Sequence, residues 1–423
     1  MKNTQIMTTE RKMIVKKKNN KKTNPIKNSF LKSFINLRVL KKIKSFILII
    51  FILHNFSYED YRDMKKFMDI CINGTLINPN ENFTKSENPK ISIVIALFNA
   101  EGYLKNGIFS IQNQDFKDIE IVIVDDFSKD NSTNLVKQFM KKDPRIVLLK
   151  NEENKGTLYT KTKGILNSKG KYSMIFDQDD MYTQGNVLST IYNEIEKDNL
   201  DMLGFSAEEI YSYNINGRKF IHKFRNYLET PILYQPDIPK RMYDYNKSGR
   251  VKRIGSVLWN YIIKNELFKK IIGQIDDKFM NTKMVRHEDY LLLFLLTRNA
   301  HSLKQIKKIF YVQIIIKKTK NKKILFTIEE KRKDKENLHC MSFLNYIEFL
   351  LMKTEDNIID KRIPSFELNR WYLGTKCRKN KYVREKGIYL CKLFLRNNYI
   401  ENKVKKKILK FFDEINEIFY FTE

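Results

Sequence analysis

Along the middle of the chain the apolar residues come in short unbroken runs rather than at helical spacing. ISIVIALF begins at Ile91, IEIVIVDD at Ile119, RIVLL at Arg145 and YSMIF at Tyr172. Each run is too short for a typical helix and apolar at consecutive positions, so both of its faces must be covered. That is the pattern of parallel strands sandwiched between helices. Between the runs, 101–114, 130–142 and 156–168 read as helical windows, the second opening on the capping sequence DNST, and 185–198 reads as a fourth. Strand–helix alternation over about 90 residues predicts an α/β doubly wound, predominantly parallel sheet flanked by helices. In such sheets ligands bind beyond the carboxyl ends of the strands.

The flanks read differently. Residues 1–44 lack a sustained apolar period and are expected to be a basic disordered tail. A continuous apolar run then extends only from Phe46 to Leu53, far short of the ~20 residues needed to span a bilayer as a helix. Extended to 43–56 it is interrupted by Lys44 and His54. With its dense basic flank, the segment at 45–58 is a candidate signal or anchor, which would associate the chain with a membrane in an ER/Golgi-type secretory pathway. The competing reading is a buried helix in a cytoplasmic protein. Residues 59–89 read as a stem or linker, 90–300 as the α/β domain, and 301–423 as a Lys-rich helical C-terminal region.

Composition adjusts this picture. At 423 residues and 42% hydrophobic, the chain can bury a large core. The formal charge of +30 suggests a nucleic-acid binder at first sight, but the excess sits in the ends. Residues 1–44 carry 14 Lys+Arg against 1 acid and residues 301–423 carry 29 against 15, whereas residues 90–300 carry 32 against 27. Nucleic acid is therefore not the expected partner. The four cysteines (Cys71, Cys340, Cys377, Cys391) show no C-x-x-C spacing, so no zinc or redox motif and no disulfide framework is indicated.

Two acidic clusters end strands at one sheet edge: Asp125 and Asp126 in VDD, and Asp177, Asp179 and Asp180 in FDQDD. If the strand continued through 179, its two-residue alternation would put Asp177 and Asp179 on one side. Hard oxygen ligands of this type suit Mg²⁺ or Mn²⁺, which take one or two carboxylates and complete their shell with water and phosphate. Turn formation and helix capping are the competing explanation. Further on, Glu288 and Asp289 open an apolar helix in VRHEDYLLLFLL, where carboxylates are favoured by the helix dipole. His287 reads as a solvated neighbour.

Together these segments resemble the family 2 glycosyltransferases, enzymes of the GT-A fold. The resemblance runs from ISIVIALFNAEGYL through SIQNQDF and VDDFSKDNS to NEENKGTLYTKTKGILNSKGKYSMIFDQDDMY, and ends at HEDYLLLFLL. It spans roughly residues 90–300 and implies a GT-A-type sheet with a helical C-terminal extension. It also implies inverting, metal-dependent transfer of a sugar from a nucleotide-sugar donor, UDP-linked, to a hydroxyl of a glycan, glycoprotein or glycolipid. By position, Ala96, Phe98 and Asn99 would flank the base, with Phe98 stacking on it, and Asp126 of the Asp125–Asp126 pair would hydrogen-bond it. Lys161 would contact the donor and Asp177 the ribose. Asp179 would be the principal Mn²⁺ or Mg²⁺ ligand, with Asp177 and Asp180 beside it. Asp289 would be the general base and Glu288 an orienting group or acceptor contact.

Two positions depart from the family pattern. Ala96-Leu97 stands where Pro-Thr is common, and Lys161-Thr162 stands where Arg-Asn is usual. Lysine keeps the charge but not the planar fork. Two other readings are open to the same residues. One is a catalytically inactive, membrane-tethered adaptor on a transferase fold. The other is a dehalogenase-type phosphatase with Asp177 as nucleophile, although that family carries its nucleophile on an early strand.

Overall fold

The strand pleat sorts the consecutive apolar residues of the first runs into two separate cores. Ile91, Ile93 and Ile95 of strand β1 (Ile91–Leu97) pack to one side with Ile119, Ile121 and Ile123 of β2 (Ile119–Asp125). Val94, Val122 and Val124 pack to the other. All are fully buried or nearly so. At about 1.5–3 kcal/mol for each large apolar side chain removed from water, the two faces together dictate a sheet covered on both sides.

The computed structural model describes residues 58–78, 80–212, 220–225, 229–242, 257–316, 325–353, 381–396 and 405–410. The chain divides into two units, Met1–Met64 and Lys65–Glu423. Helix α1 (Tyr58–Ile72) starts in the first of these and ends in the second. The signal or anchor candidate at 43–56 lies outside the described residues. Among the described residues no helix is long and apolar enough to cross a membrane.

After β1 and β2 come β3 (Ile146–Lys150), β4 (Tyr172–Ile175), β5 (Met181–Tyr182), β6 (Met202–Ser212), β7 (Phe220–Arg225), β8 (Leu233–Tyr234), β9 (Tyr261–Lys264) and β10 (Ser302–Ile316). The sheet order is β3-β2-β1-β4-β9-β6-β10-β5, with β7 paired to β6 and β8 to β10. Pairing is parallel from β3 through β4 and between β6 and β10, while β9 runs antiparallel to both β4 and β6. The start of β9 therefore lies at the carboxyl end of β4.

Helices α2 (Leu104–Gln112), α3 (Ser132–Met140) and α5 (Val187–Lys197) cover the isoleucine face. The valine face is covered by α4 (Thr157–Leu166), α7 (Asn265–Ile272) and α9 (Glu288–Asn299), with α10 (Leu325–Lys353) and α11 (Lys381–Arg396) packed into the same core. The short helices α6 (Asp237–Met242) and α8 (Asp277–Met280) complete the series.

Three local readings change. The segment just past 300, expected to be helical, forms β10, the longest strand of the sheet. Its IFYVQIII half is β-branched and aromatic, a strand composition that the preceding lysines obscure. Part of the expected stem is docked: Phe67 and Cys71 of α1 pack with Met181, and the Ile77 N–H donates to Asn113 Oδ1 at 2.7 Å. Cys340 is disulfide-bonded, whereas Cys71 is a free, buried thiol.

Helix α4, which carries much of the site, lies close on the sheet at Gly164. A Cβ built there would fall 2.3 Å from Val94 Cγ1 and 3.2 Å from Val124 Cγ2. Alanine is the better helix former by about 1 kcal/mol, but overpacking against a β-branched core costs about 1–3 kcal/mol. Gly164→Ala is expected to lower stability in urea titration. Unchanged or raised stability would show that α4 has room to move away from the sheet.

Candidate active site

Parallel strands in register end together, and here their ends build one wall of a cleft. Leu97 pairs with Asp125 and Asp125 with Lys150, and the Asp126 N–H donates to the Leu97 carbonyl at 2.8 Å. The two aspartates then diverge. Asp125 accepts from the Ser128 N–H at 2.9 Å and the Thr133 hydroxyl at 2.5 Å, so it closes the turn into α3. Asp126 accepts from Asn151 Nδ2 at 2.9 Å and the Lys155 N–H at 2.8 Å on Oδ1, and from the Gly156 N–H at 3.0 Å on Oδ2. Asp126 thus anchors the loop that starts α4. At Gly156 the backbone has φ 86°, and a Cβ would fall 2.7 Å from the Met284 carbonyl oxygen, so glycine is required twice over.

The FDQDD segment does not continue as strand. The Asp180 N–H donates to the Asp177 carbonyl at 3.1 Å, forming a turn, so the strand-pleat relation between Asp177 and Asp179 does not hold. Asp180 is buried and Asp179 is exposed. Gln178 locks this turn to the first-strand loop: its Oε1 accepts from the Phe98 N–H at 2.8 Å, and its Nε2 donates to the Phe98 carbonyl at 3.2 Å. The Phe98 ring is left 41% exposed, open to stacking. Asn99, at φ 49°, braces the neighbouring loop through Ser128 and Lys129.

Ala96, Phe98, Asp126, Lys161, Asp177 and Asp179 line a single cleft of about 580 Å³. Asn99, Asp125 and Asp180 are set back from its lining and support it. Lys283, Arg286, Leu338 and His339 also line it. No pattern in the sequence pointed to Leu338 and His339, which arrive from α10; the KMVRHED stretch did display the two cations beside the acidic pair.

The acidic pair of α9 reaches the cleft through Lys161. Its ammonium donates to Asp289 Oδ1 at 2.8 Å and Glu288 Oε1 at 2.9 Å, with Asp177 Oδ1 at 3.8 Å. Asp289 Oδ2 accepts from the Leu258 N–H at 3.2 Å, in the 3-10 turn that leads into β9. Burial works against the charge on Lys161, but Asp289, Glu288 and Asp177 outweigh it and hold the lysine well above its ordinary range. Three carboxylates thus surround one cation. Burial pushes Asp177 up to about 7, opposed by Lys161 and reinforced by Asp289, Asp179 and Glu288. Burial likewise raises Glu288.

As a metal site the cleft offers Asp177 and Asp179, and among the described residues no group of three His, Cys, Asp or Glu side chains is arranged to hold a metal ion. That donor set fits Mg²⁺ or Mn²⁺ only as a partial shell completed by phosphate and water.

A family model described as Glycosyl transferase family 2 matches residues 92–285. That segment, just under half of the chain, is similar to the family 2 glycosyltransferases. Similar proteins include glycosyltransferase GlyA of Streptococcus pneumoniae, 28% identical over 46% of this chain and 28% of that protein. The cholesterol galactosyltransferase of Borreliella burgdorferi is 24% identical over 79% of this chain and 85% of its own length. The chain therefore spans about a quarter of one relative and most of the other. Among solved structures, S. aureus TarS 1–349 in complex with UDP-GlcNAc superposes with a TM-score of 0.52 at 15% identity, covering 79% of this chain and 94% of that one. This likeness shows the fold, the GT-A-type α/β sheet of the family. These bacterial relatives lend no support to ER/Golgi-type placement.

His287, the residue that caps the start of α9, is not a solvated neighbour. It takes a left-handed backbone at φ 67° and stacks among Tyr290, Phe343 and Tyr346. Burial, with Arg286 and His339 nearby, pushes it down to about 4. The folded state then favours the neutral ring, so its share of stability is complete above the unfolded value near 6.5 and is lost as pH falls toward 4. Asparagine tolerates the left-handed backbone and does not titrate. In His287→Asn, the loss of melting temperature between pH 7 and 4.5 is expected to shrink by about 2–4 °C. An unchanged acid limb would place the titration elsewhere.

Proposed function

We propose that the domain is an inverting glycosyltransferase that uses a UDP-linked sugar and a divalent cation, Mn²⁺ or Mg²⁺. The observation that carries this reading is the placement of Asp289. Its two oxygens are held by Lys161 and the Leu258 N–H, and Lys161 also reaches toward Asp177 in the cleft wall. Asp126 Oδ2, which accepts the Gly156 N–H, has a second lone pair available for a base N–H, and Phe98 offers a stacking face. In this reading Asp177 contacts the ribose and Asp179 the cation.

In the reaction, Asp289 takes the proton of the acceptor hydroxyl as its oxygen attacks C1 of the sugar. The new C1–O bond forms as the bond from C1 to the phosphate oxygen breaks, and the electron pair leaves with the nucleoside diphosphate. Attack opposite the leaving group inverts C1. A bound divalent cation supplies charge stabilisation to the departing diphosphate. The acceptor is a glycan, glycoprotein or glycolipid hydroxyl, and the name of the Borreliella relative supports including sterols among the acceptors tested.

Two variants test this. Asp289→Asn is expected to retain UDP binding in calorimetry while losing transfer by about 10²–10⁴-fold, the usual worth of a general base; wild-type turnover would remove Asp289 from the role. Asp179→Ala, or EDTA on the wild type, is expected to lower turnover by on the order of 100-fold. Full activity under either condition would overturn the metal assignment.

A further inference from the structure

Lys161 sits where the donor side and the acceptor side of the cleft meet. Its side chain is 4% exposed. Of its three N–H donors, two go to Asp289 and Glu288 and the remaining direction faces Asp177. The backbone beneath it is fixed one turn earlier, where the Gly156 N–H bonds Asp126 at 3.0 Å and the Leu158 N–H bonds the Met284 carbonyl at 3.2 Å. A buried ion cluster is a weak source of net stability, because desolvation offsets most of the attraction. Its position in the wall of the cleft therefore calls for a functional account.

We propose that Lys161 is a positioning residue for the transfer reaction: it holds Asp289 in the orientation that receives the acceptor proton and ties it to Asp177 on the donor side. This rests on the reading of Asp289 as the base. It replaces the direct donor contact implied by the family resemblance, since the ammonium's hydrogen bonds already go to α9. The two roles separate kinetically. A donor contact shared by ground and transition states shows in KM and donor affinity, whereas loss of base alignment shows in kcat.

Full-length wild type, Lys161→Met, Lys161→Arg and Asp289→Asn are compared by UDP release from UDP-glucose, UDP-galactose and UDP-GlcNAc with Mn²⁺, and by calorimetry with UDP. Lys161→Met is expected to lower kcat by about 100-fold, the scale of a misplaced catalytic group. Donor KM and UDP affinity should stay within roughly threefold, and Lys161→Arg should restore kcat to within about tenfold. Weakened UDP affinity with kcat retained in Lys161→Met overturns the proposal, as does Lys161→Arg performing no better than Lys161→Met. If Asp289→Asn keeps wild-type turnover, the assignment of the base fails and takes this proposal with it. If Asp289→Asn loses turnover and Lys161→Met keeps its kcat, only the positioning role fails. Should Lys161→Met not fold, the Lys161→Met/Glu288→Gln double variant, which relieves one surplus charge, is read by the same split between kcat and KM.

Discussion

An ammonium group enters a protein interior only with its counter-charges, and that requirement organises this molecule. Lys161 is carried by α4, Glu288 and Asp289 by α9, and Asp177 by the turn after β4. Satisfying one cation thus fixes two helices and a strand end relative to each other. The same requirement leaves surplus negative charge, because three carboxylates face one lysine. Burial, reinforced by repulsion among them, raises Asp177 and Glu288, so that protons relieve part of this charge. A cation bound at the cleft would relieve it in the same way.

The sheet sets the precision of that arrangement. Parallel strands in register bring Leu97, Asp125 and Lys150 to one level, and the antiparallel β9 delivers Leu258 to the same edge from the opposite direction. A mixed sheet thereby lets a backbone N–H from a chain segment some 80 residues past β4 hold the second oxygen of Asp289. Backbone donors are rigid, so the fold itself fixes one oxygen of Asp289, while Lys161 holds the other.

Much of this was legible in the sequence, for definite reasons. Continuous β-branched runs have one economical solution, a strand covered on both faces, and β1 through β4 follow it. The ordered acidic motifs at strand ends located the cleft. Other features were not legible because they arise from contacts between distant segments. The turn at 177–180 depends on where β4 stops pairing, which local alternation does not encode. The partners of Lys161 lie 127 and 128 residues away, so its charge could be read but not its direction. His287 looked solvated because its neighbours in sequence are charged, whereas the aromatic rings around it come largely from α10. The lysines that open β10 masked a strand for the same reason that net charge misled at first: composition averages over residues that the pleat separates.

The functional unit also runs past the limits that motif matching gives it. The family match ends at residue 285, three positions before the acidic pair of α9. Tyr311 of β10 accepts the Asp177 N–H at 2.9 Å, and its ring stacks on Trp259 with centroids 4.4 Å apart. Val285 N–H donates to Ser342 Oγ of α10 at 3.1 Å, and Leu338 and His339 close the cleft from that helix. Strand β10 and helix α10 are thus parts of the site's wall and supports, and the sequence boundary near 300 falls inside the catalytic body. The strand-end turns and α9 supply the carboxylates, and β10 and α10, from a region that composition marked only as Lys-rich and helical, complete the wall around them.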